Sequence, residues 1–215
     1  MNEVRAGTQL VLTHQLKKNR LVGEECRSLT GVEPHNGVAW HADLSRIARA
    51  AYISQALEVI ACGEDFTGLC ADIRRRGASL NLREYRIELI NRSNQPISIS
   101  AHIKPLADTI EAATGGVPNL SAPHMKVILL VTDQHWVLAD IVGRPTHDYA
   151  VHEQKPHRSS SALPVQLARG IINLLPAAAR TVLDPCCGSG TFPIEAGSLG
   201  YLTSCGDQSP KLAWM

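Results

Sequence analysis

The sequence lacks the features that would mark a membrane protein, a secreted protein or a strongly charged surface. It contains no apolar run of 18 residues, and residues 1–20 do not follow the pattern of a signal peptide, so a cytoplasmic protein with no membrane partner is expected. Its 21 basic and 20 acidic side chains leave a net charge of +1, which gives no global indication of nucleic-acid binding. An RNA-binding face must therefore come from local clusters of charge.

Paired cysteines of the CxxC type are also lacking. Six cysteines are present, and without such pairs a zinc site is disfavoured. We expect reduced, mostly buried thiols. Three histidines cluster at positions 147, 152 and 157, but their spacing is not typical of ligands on one helix face or turn. The sequence therefore predicts no metal.

The clearest pattern lies near the end of the chain. Residues 181–183 are apolar and β-rich and predict a short buried strand. Asp184-Pro185 ends this strand, and Gly188-Ser189-Gly190 supplies a turn in which backbone can approach a ligand closely. Thr191 then opens a helix, and a second apolar run leads to Asp207. This order is that of half of a nucleotide-binding α/β unit: a strand, a glycine-rich loop, a helix, a second strand and an acid.

The residues around this loop indicate which nucleotide it would bind. A dinucleotide fingerprint needs Gly or Ala where Pro193 stands. Asp184 places a carboxylate where it would repel a pyrophosphate but suit a ligand with an amino group and a sulfonium. The loop with its distal Asp207 resembles the first two motifs of S-adenosylmethionine-dependent methyltransferases. The alternative is a tight strand-to-helix turn that binds nothing.

The first part of the chain predicts the element order β-α-β-β-α of a small ferredoxin-like unit. A strand is expected at 9–13, a helix from Asn19 to Gly31, a strand at 38–41, a helix at 44–50 capped by Asp43, and a strand at 52–62. A further helix is expected to start at Glu64 and to end at Gly77.

A second cycle follows. We expect a strand at 85–90, a helix capped by Ser100 and closed by Gly115, an extended connector at 117–123, and a hairpin of strands 126–132 and 136–142. Residues 146–161 are polar with almost nothing to bury and predict a linker. An amphipathic helix is expected at 162–175, with Pro164 in its first turn.

This order of parts resembles the THUMP-domain tRNA guanine-N2-methyltransferases, which modify guanosine 10 of tRNA. The resemblance covers residues 8–75, 80–145, 158–169 and the loop Asp184-Pro-Cys-Cys-Gly-Ser-Gly-Thr191. It implies α+β N-terminal ferredoxin-like and THUMP-like domains, followed by the start of an α/β Rossmann-like methyltransferase domain. The implied boundaries are 1–77, 78–145, a linker at 146–161, and 162–215.

The resemblance also implies the functional residues. The methionine part of S-adenosylmethionine would be held by the loop, with Asp207 on the ribose hydroxyls and Pro164 and Leu167 below the same pocket. The implied loop residues are Asp184, Pro185, Cys186, Gly188, Ser189, Gly190 and Thr191. The candidates for RNA phosphate contacts are Arg74, Arg75, Arg76, Lys155 and Arg158. For the arginine run, a solvated helix end favoured by the helix dipole is the alternative.

One departure from the family is large. Its catalytic motif, Asp or Asn followed by Pro-Pro and an aromatic residue, does not occur, so no catalytic residue can be assigned. We expect an inactive fragment of a tRNA methyltransferase, completed by a missing C-terminal part or a partner subunit. Two alternatives stay open: an RNA-binding module with a vestigial methyltransferase part, and a methyltransferase acting on DNA or another RNA.

Overall fold

The computed structural model describes residues 3–14, 20–155 and 162–209. Nine strands and five α-helices lie in these ranges, with 3₁₀ helices at Ile47–Arg49, Gly77–Leu80 and Asp148–Gln154. The strands are β1 Gln9–Thr13, β2 Val38–Trp40, β3 Ile53–Gly63, β4 Glu84–Asn91, β5 Val117–Pro118, β6 Met125–Val131, β7 Trp136–Gly143, β8 Thr181–Asp184 and β9 Leu202–Cys205. The helices are α1 Arg20–Thr30, α2 Phe66–Arg76, α3 Ile99–Thr114, α4 Val165–Ile172 and α5 Thr191–Ser198.

The first seven strands form one sheet in the order β2-β1-β3-β7-β6-β4-β5. This sheet crosses the predicted domain boundary after residue 77, because β3 pairs antiparallel with β7, with Leu57 opposite Ile141 and Val59 opposite Ala139. The two N-terminal units are therefore joined by backbone hydrogen bonds. Their division into a ferredoxin-like and a THUMP-like domain stays a prediction.

Alternating side chains bury both faces of this sheet. Val11 faces α1, while Leu10 and Leu12 point to the opposite face. That opposite face forms a core whose fully buried members, within the described ranges, all come from strands. Since no helix supplies them, the sheet must curl so that this face packs against itself. The curl brings the Trp40 ring to 5.8 Å from the His135 ring.

A register shift within β3 places residues of this strand in two different hydrophobic cores. Val59 belongs to the strand-only core, yet Ala61, two residues later, packs with α2 and α3. Residues two apart in a regular strand share a face. The pairing of β3 with β7 shifts register between Val59 and Ala61, as a bulge does, and this shift turns Ala61 to the other face.

Most predicted elements of the N-terminal region are confirmed, but two helices start elsewhere and one is replaced by a 3₁₀ turn. The helix predicted to start at Glu64 starts at Phe66, and its cap is Asp65, whose carboxylate accepts from Gly68 N over 2.7 Å. The cap of α3 is Ser98 and not Ser100. The helix predicted at 44–50 is only a 3₁₀ turn, because the Asp43 carboxylate accepts from Ser45 N and forms a local turn that competes with a helix.

The segment predicted as a linker is partly packed. Its 3₁₀ helix buries Tyr149, which is 7% exposed, against Tyr52 and Val165. The expectation that residues 146–161 bury almost nothing is therefore wrong for their first half. Residues 156–161, including His157 and Arg158, lie outside the described residues. Across the part of the chain that is described, no helix combines the length and apolar character needed to cross a membrane.

Candidate functional site: the loop between β8 and α5

The predicted strand-loop-helix-strand unit is present. β8 and β9 run parallel with Asp184 opposite Cys205, and α5 begins at Thr191, as the sequence predicted. The loop between β8 and α5 is held to the end of β9 by two backbone hydrogen bonds, Cys187 N to Gly206 O at 2.9 Å and Gly206 N to Asp184 O at 3.0 Å. The loop is therefore anchored at the carboxyl ends of both strands, where open α/β sheets bind ligands.

The two loop glycines have the backbone geometry that their positions require. Gly188 has φ +55° and Gly190 has φ +77°, a left-handed conformation that L side chains rarely adopt. At Gly188 a Cβ would meet no heavy atom within 4 Å, so the conformation and not crowding selects glycine there. The same openness leaves the backbone accessible to a ligand.

Both predicted acids lie beside this loop. The Asp184 carboxylate accepts from Cys186 N over 3.1 Å, and the Asp207 carboxylate accepts from Gly188 N and from Ser209 N, each over 2.9 Å. Each carboxylate oxygen has a second lone pair, so these bonds leave both acids able to accept from a ligand. Two anions therefore border the loop, an arrangement that suits amino and hydroxyl groups.

Lys155 joins the same loop, which the sequence did not predict. Its Nζ donates to the Ser189 carbonyl over 3.1 Å and to the Thr191 hydroxyl over 2.5 Å. The Ser189 hydroxyl is buried and has no hydrogen-bond partner among the described atoms. Such an orphaned polar atom inside a loop is one that a bound molecule can satisfy. The carboxylates of the loop and this hydroxyl thus fit a ligand with amino and hydroxyl groups.

The surroundings of Cys187 do not favour a nucleophilic thiolate. All six cysteines fall in the described ranges and are free thiols, but only Cys26 and Cys70 are buried, so the expectation of mostly buried thiols is wrong. Burial and the adjacent Cys205 thiol raise the pKa of Cys187, and the carboxylates of Asp184 and Asp207 act in the same direction. A raised pKa keeps the thiol protonated and therefore unreactive.

The predicted burial of β8 is wrong. Leu183 is 71% exposed and Leu202 of β9 is 73% exposed. Within residues 3–14, 20–155 and 162–209, β8 and β9 form a sheet of two strands, so neither strand has a neighbour on its outer edge. Apolar periodicity identified the strands correctly, but burial needs packing partners that the pattern itself cannot supply.

A buried ionic network holds α5 and α4 together. Arg169 and Glu195 are both 0% exposed, and Arg169 Nε donates to the Glu195 carboxylate over 2.7 Å. The same carboxylate contacts His152 Nδ1. Arg169 also lies 3.3 Å from the Asp148 carboxylate and 5.2 Å from the centre of the Tyr149 ring. The sequence does not predict this network; its local signals are Arg169 in the mostly apolar α4 and Glu195 in the mostly apolar α5.

The arginine run predicted to contact RNA lies at the end of α2, far from the β8–α5 loop in sequence. Arg75 and Arg76 both pair with Asp72, while Arg74 reaches Thr109 Oγ1 at 3.5 Å. Asp72 thus offsets part of the positive charge, in agreement with the alternative of a stabilised helix end. A role of these arginines in RNA binding stays a prediction.

Asp72 provides a test through the pH dependence of stability. Burial raises its pKa, but hydrogen bonds from Arg76, Cys62 N and Arg75 outweigh this effect, and the net pKa lies below the ordinary value of 3.8. The stability that it contributes is therefore present above that value and lost as the pH falls through the folded-state pKa. We expect the difference in urea-unfolding free energy between the wild type and Asp72→Asn to shrink from about pH 6 to about pH 3.

The matched control is Asp108→Asn, since Asp108 forms an exposed pair with Lys104 on α3. Its effect should stay within about 0–1 kcal/mol. A wild-type advantage over Asp72→Asn that grows as the pH falls would contradict the assignment.

Comparison with known proteins identifies the region around this loop. Residues 153–208 match the model of the UPF0020 family, described as RMKL-like, methyltransferase domain. A tRNA (guanine(10)-N2)-dimethyltransferase of Methanocaldococcus jannaschii is 29% identical over 103 residues, which cover 45% of this chain and 29% of that protein. The chain therefore spans less than a third of this curated relative.

Solved structures show the same fold. TrmN from Thermus thermophilus superposes with a TM-score of 0.56 at 20% identity, over 95% of this chain and 66% of that one. A 4-thiouridine synthetase in complex with RNA and ATP gives a TM-score of 0.51 at 12% identity, over 94% of this chain and 52% of that one. These matches confirm a mixed α/β fold shared with methyltransferases. The family-model match of residues 153–208 and the tRNA-modifying relative together confirm the resemblance of the chain to the tRNA guanine-N2-methyltransferase family.

Proposed function

We propose that this chain belongs to an S-adenosylmethionine-dependent enzyme that methylates the exocyclic N2 amine of a guanosine in tRNA. The observation that carries the proposal is the loop of residues 184–191, anchored between two parallel strands and bordered by the carboxylates of Asp184 and Asp207. The match of residues 153–208 to a methyltransferase domain supports the reaction class. The tRNA-modifying relative supports the substrate.

In this proposal the residues of the chain bind and orient the cofactor. Asp207 accepts from the ribose hydroxyls, and the exposed backbone at Gly188 and Gly190 lies along the methionine part, with Asp184 near its amino group. The cofactor, when bound, would supply a methyl group whose bond to the sulfonium sulfur breaks as an amine nitrogen takes the methyl, so that a neutral thioether leaves. The contribution of this segment is alignment, which by itself lowers the barrier of a bimolecular reaction.

The proposal extends to the parts of the enzyme that the chain does not supply. The expected Asp or Asn-Pro-Pro-aromatic motif, which would hold the guanine amine, is not in the sequence. We propose that the chain alone binds the cofactor without turning over tRNA. Methylation of tRNA by the purified chain would contradict this part of the proposal.

Calorimetric titration with S-adenosylhomocysteine tests cofactor binding. We expect Asp207→Ala to weaken binding by about 10- to 100-fold, because a carboxylate that accepts from hydroxyl groups is lost. Asp133→Ala is the matched control, since Asp133 is an exposed acid in the turn between β6 and β7, where it accepts from Asn94. A wild-type protein with no affinity for S-adenosylhomocysteine, but with salt-sensitive affinity for tRNA, would favour an RNA-binding module instead.

A further inference from the structure

A small cleft lies in the N-terminal sheet, where β2 approaches the turn between β6 and β7. Its walls are formed by Val38 and Trp40 of β2, residues 35–36 before this strand, Arg92 after β4, and the turn residues 132–134. The cleft has a volume of about 150 Å³. Pockets for drug-sized ligands measure roughly 300–1,000 Å³, so this cleft has room for a group the size of one ring system.

Trp40 gives the cleft an aromatic wall. The indole is half-buried, packs against the strand-only core, and also lines the cleft. The His135 ring stands nearly perpendicular to it, at an angle of 81°, and burial lowers the pKa of this histidine, so that the ring is neutral near pH 7. An aromatic side chain that is fixed by a core and borders an opening suits stacking against a planar ligand.

Arg92 gives the same cleft a hydrogen-bond donor that the protein uses only in part. Its Nη2 donates to the Thr13 carbonyl over 3.0 Å, whereas its Nε is buried and has no hydrogen-bond partner among the described atoms. Over the described ranges no carboxylate pairs with this guanidinium. Burial lowers the pKa of Arg92, but an arginine stays charged near neutral pH. An acceptor group in the cleft would therefore meet a cation that lacks a counter-charge.

An acid at the rim restricts the kind of acceptor that fits. The Asp133 carboxylate lines the cleft and accepts from Asn94 N over 2.8 Å and from Asn94 Nδ2 over 2.7 Å. A phosphate in the cleft would be repelled by this anion, whereas an uncharged ring with acceptor atoms would not. Guanine presents the adjacent acceptors O6 and N7 that match a guanidinium, while adenine places an amino donor beside N7.

We propose that this cleft binds one unpaired guanine base of an RNA strand, stacked on Trp40 and held through its acceptor edge by Arg92. The inference rests on the RNA substrate of the proposed function and is independent of the loop between β8 and α5. A space for one ring system excludes a base pair, so the cleft selects a guanine in a loop, a bulge or a strand end. A free guanine nucleotide carries the same base, and the experiment separates the two sources.

Fluorescence anisotropy with labelled RNA octamers tests the site. The probes are an oligouridine with one central guanine, the same strand with adenine in its place, and the guanine strand annealed to its complement. We expect the wild type to bind the guanine strand about 5- to 50-fold more tightly than the adenine strand, and also more tightly than the duplex. Trp40→Leu should weaken binding of the guanine strand by about 5- to 100-fold, because the stacking surface is lost.

Two further variants sharpen the assignment. Arg92→Lys keeps the charge but loses the planar fork, so it should abolish the preference for guanine over adenine. Trp136→Leu is the matched control for Trp40→Leu: Trp136 is also half-buried, but it packs with the core of α2 and α3 and should leave both affinities unchanged. Circular dichroism reports whether each variant is folded.

The remaining outcomes decide against the proposal or against its rivals. Equal wild-type affinity for the guanine and adenine strands, or equal losses in Trp40→Leu and Trp136→Leu, would overturn it. Guanosine 5′-monophosphate should displace the guanine strand only at about 100-fold excess or more, because it lacks the phosphate contacts of a strand. Displacement near equal concentrations would assign the cleft to a free nucleotide instead. Failure of the wild type to bind S-adenosylhomocysteine would contradict the proposed function without deciding what the cleft binds.

Discussion

Replacement of Glu195 by alanine is expected to lower the free energy of unfolding by about 3–5 kcal/mol, because it leaves a buried guanidinium without its main counter-charge. Arg169 is 0% exposed and donates to Glu195 over 2.7 Å. Its Nη1 already has no hydrogen-bond partner within the described residues. Asp148, an exposed acid 3.3 Å away, is a poor substitute. Urea unfolding followed by circular dichroism measures the loss.

A double replacement separates the cost of an unpaired charge from the value of the pair. Arg169→Met combined with Glu195→Leu removes both charges and keeps apolar volume, so it should lose less stability than Glu195→Ala alone. A loss below about 1 kcal/mol for the single variant, the range of exposed pairs, would contradict the assignment. Because α5 begins at Thr191, the single variant should also weaken S-adenosylhomocysteine binding at the adjacent loop.

Replacement of Glu25 by alanine is expected to cost about 3 kcal/mol, because three hydrogen bonds to one buried carboxylate are lost together. Glu25 accepts from Ala51 N over 2.8 Å, from Tyr52 N over 2.7 Å and from the Asn173 amide over 2.6 Å. Burial raises the pKa of Glu25, whereas these three donors lower it in part. Removal of the carboxylate leaves buried donors unsatisfied, which is costlier than the bonds themselves are worth.

The neighbouring residue on the same helix supplies the control. Glu24 forms an exposed pair with Arg27, and Glu24→Ala should change stability by about 0–1 kcal/mol. Since Asn173 directly follows α4, Glu25→Ala should also speed amide hydrogen exchange in α4 more than in α2. Equal effects of the two replacements, or exchange in α4 that does not change, would show that Glu25 does not join α1 to α4.

These two networks explain how the loop between β8 and α5 is placed. Glu25 fixes Asn173 at the end of α4 to the N-terminal sheet region, and Arg169 within α4 fixes Glu195 of α5. The helix α4 is therefore the element through which the N-terminal sheet positions α5 and the loop before it. Both contacts are buried and involve a carboxylate, so they depend on exact geometry as well as on apolar area.

The sequence by itself determined the local elements and the loop. The turn glycines Gly31, Gly77, Gly115 and Gly190 were identified at helix ends and in the loop, and all have positive φ in the structure. Such positions can be predicted because the conformational preference of glycine depends on the residue and its immediate neighbours. The acids Asp184 and Asp207 can also be predicted from the sequence, because their separation along the chain matches one strand-helix-strand unit.

Only the tertiary structure decided which distant groups meet. The register shift in β3 turns Ala61 to the other face, and the pairing of β3 with β7 joins residues about 80 positions apart, so neither could follow from periodicity. Lys155 looked like a linker charge, yet it contacts the loop 34 residues later. Exposure of Leu183 and burial of Arg169 likewise depend on what packs beside them. Residue patterns predict faces and turns, whereas long-range packing selects the partners of each face.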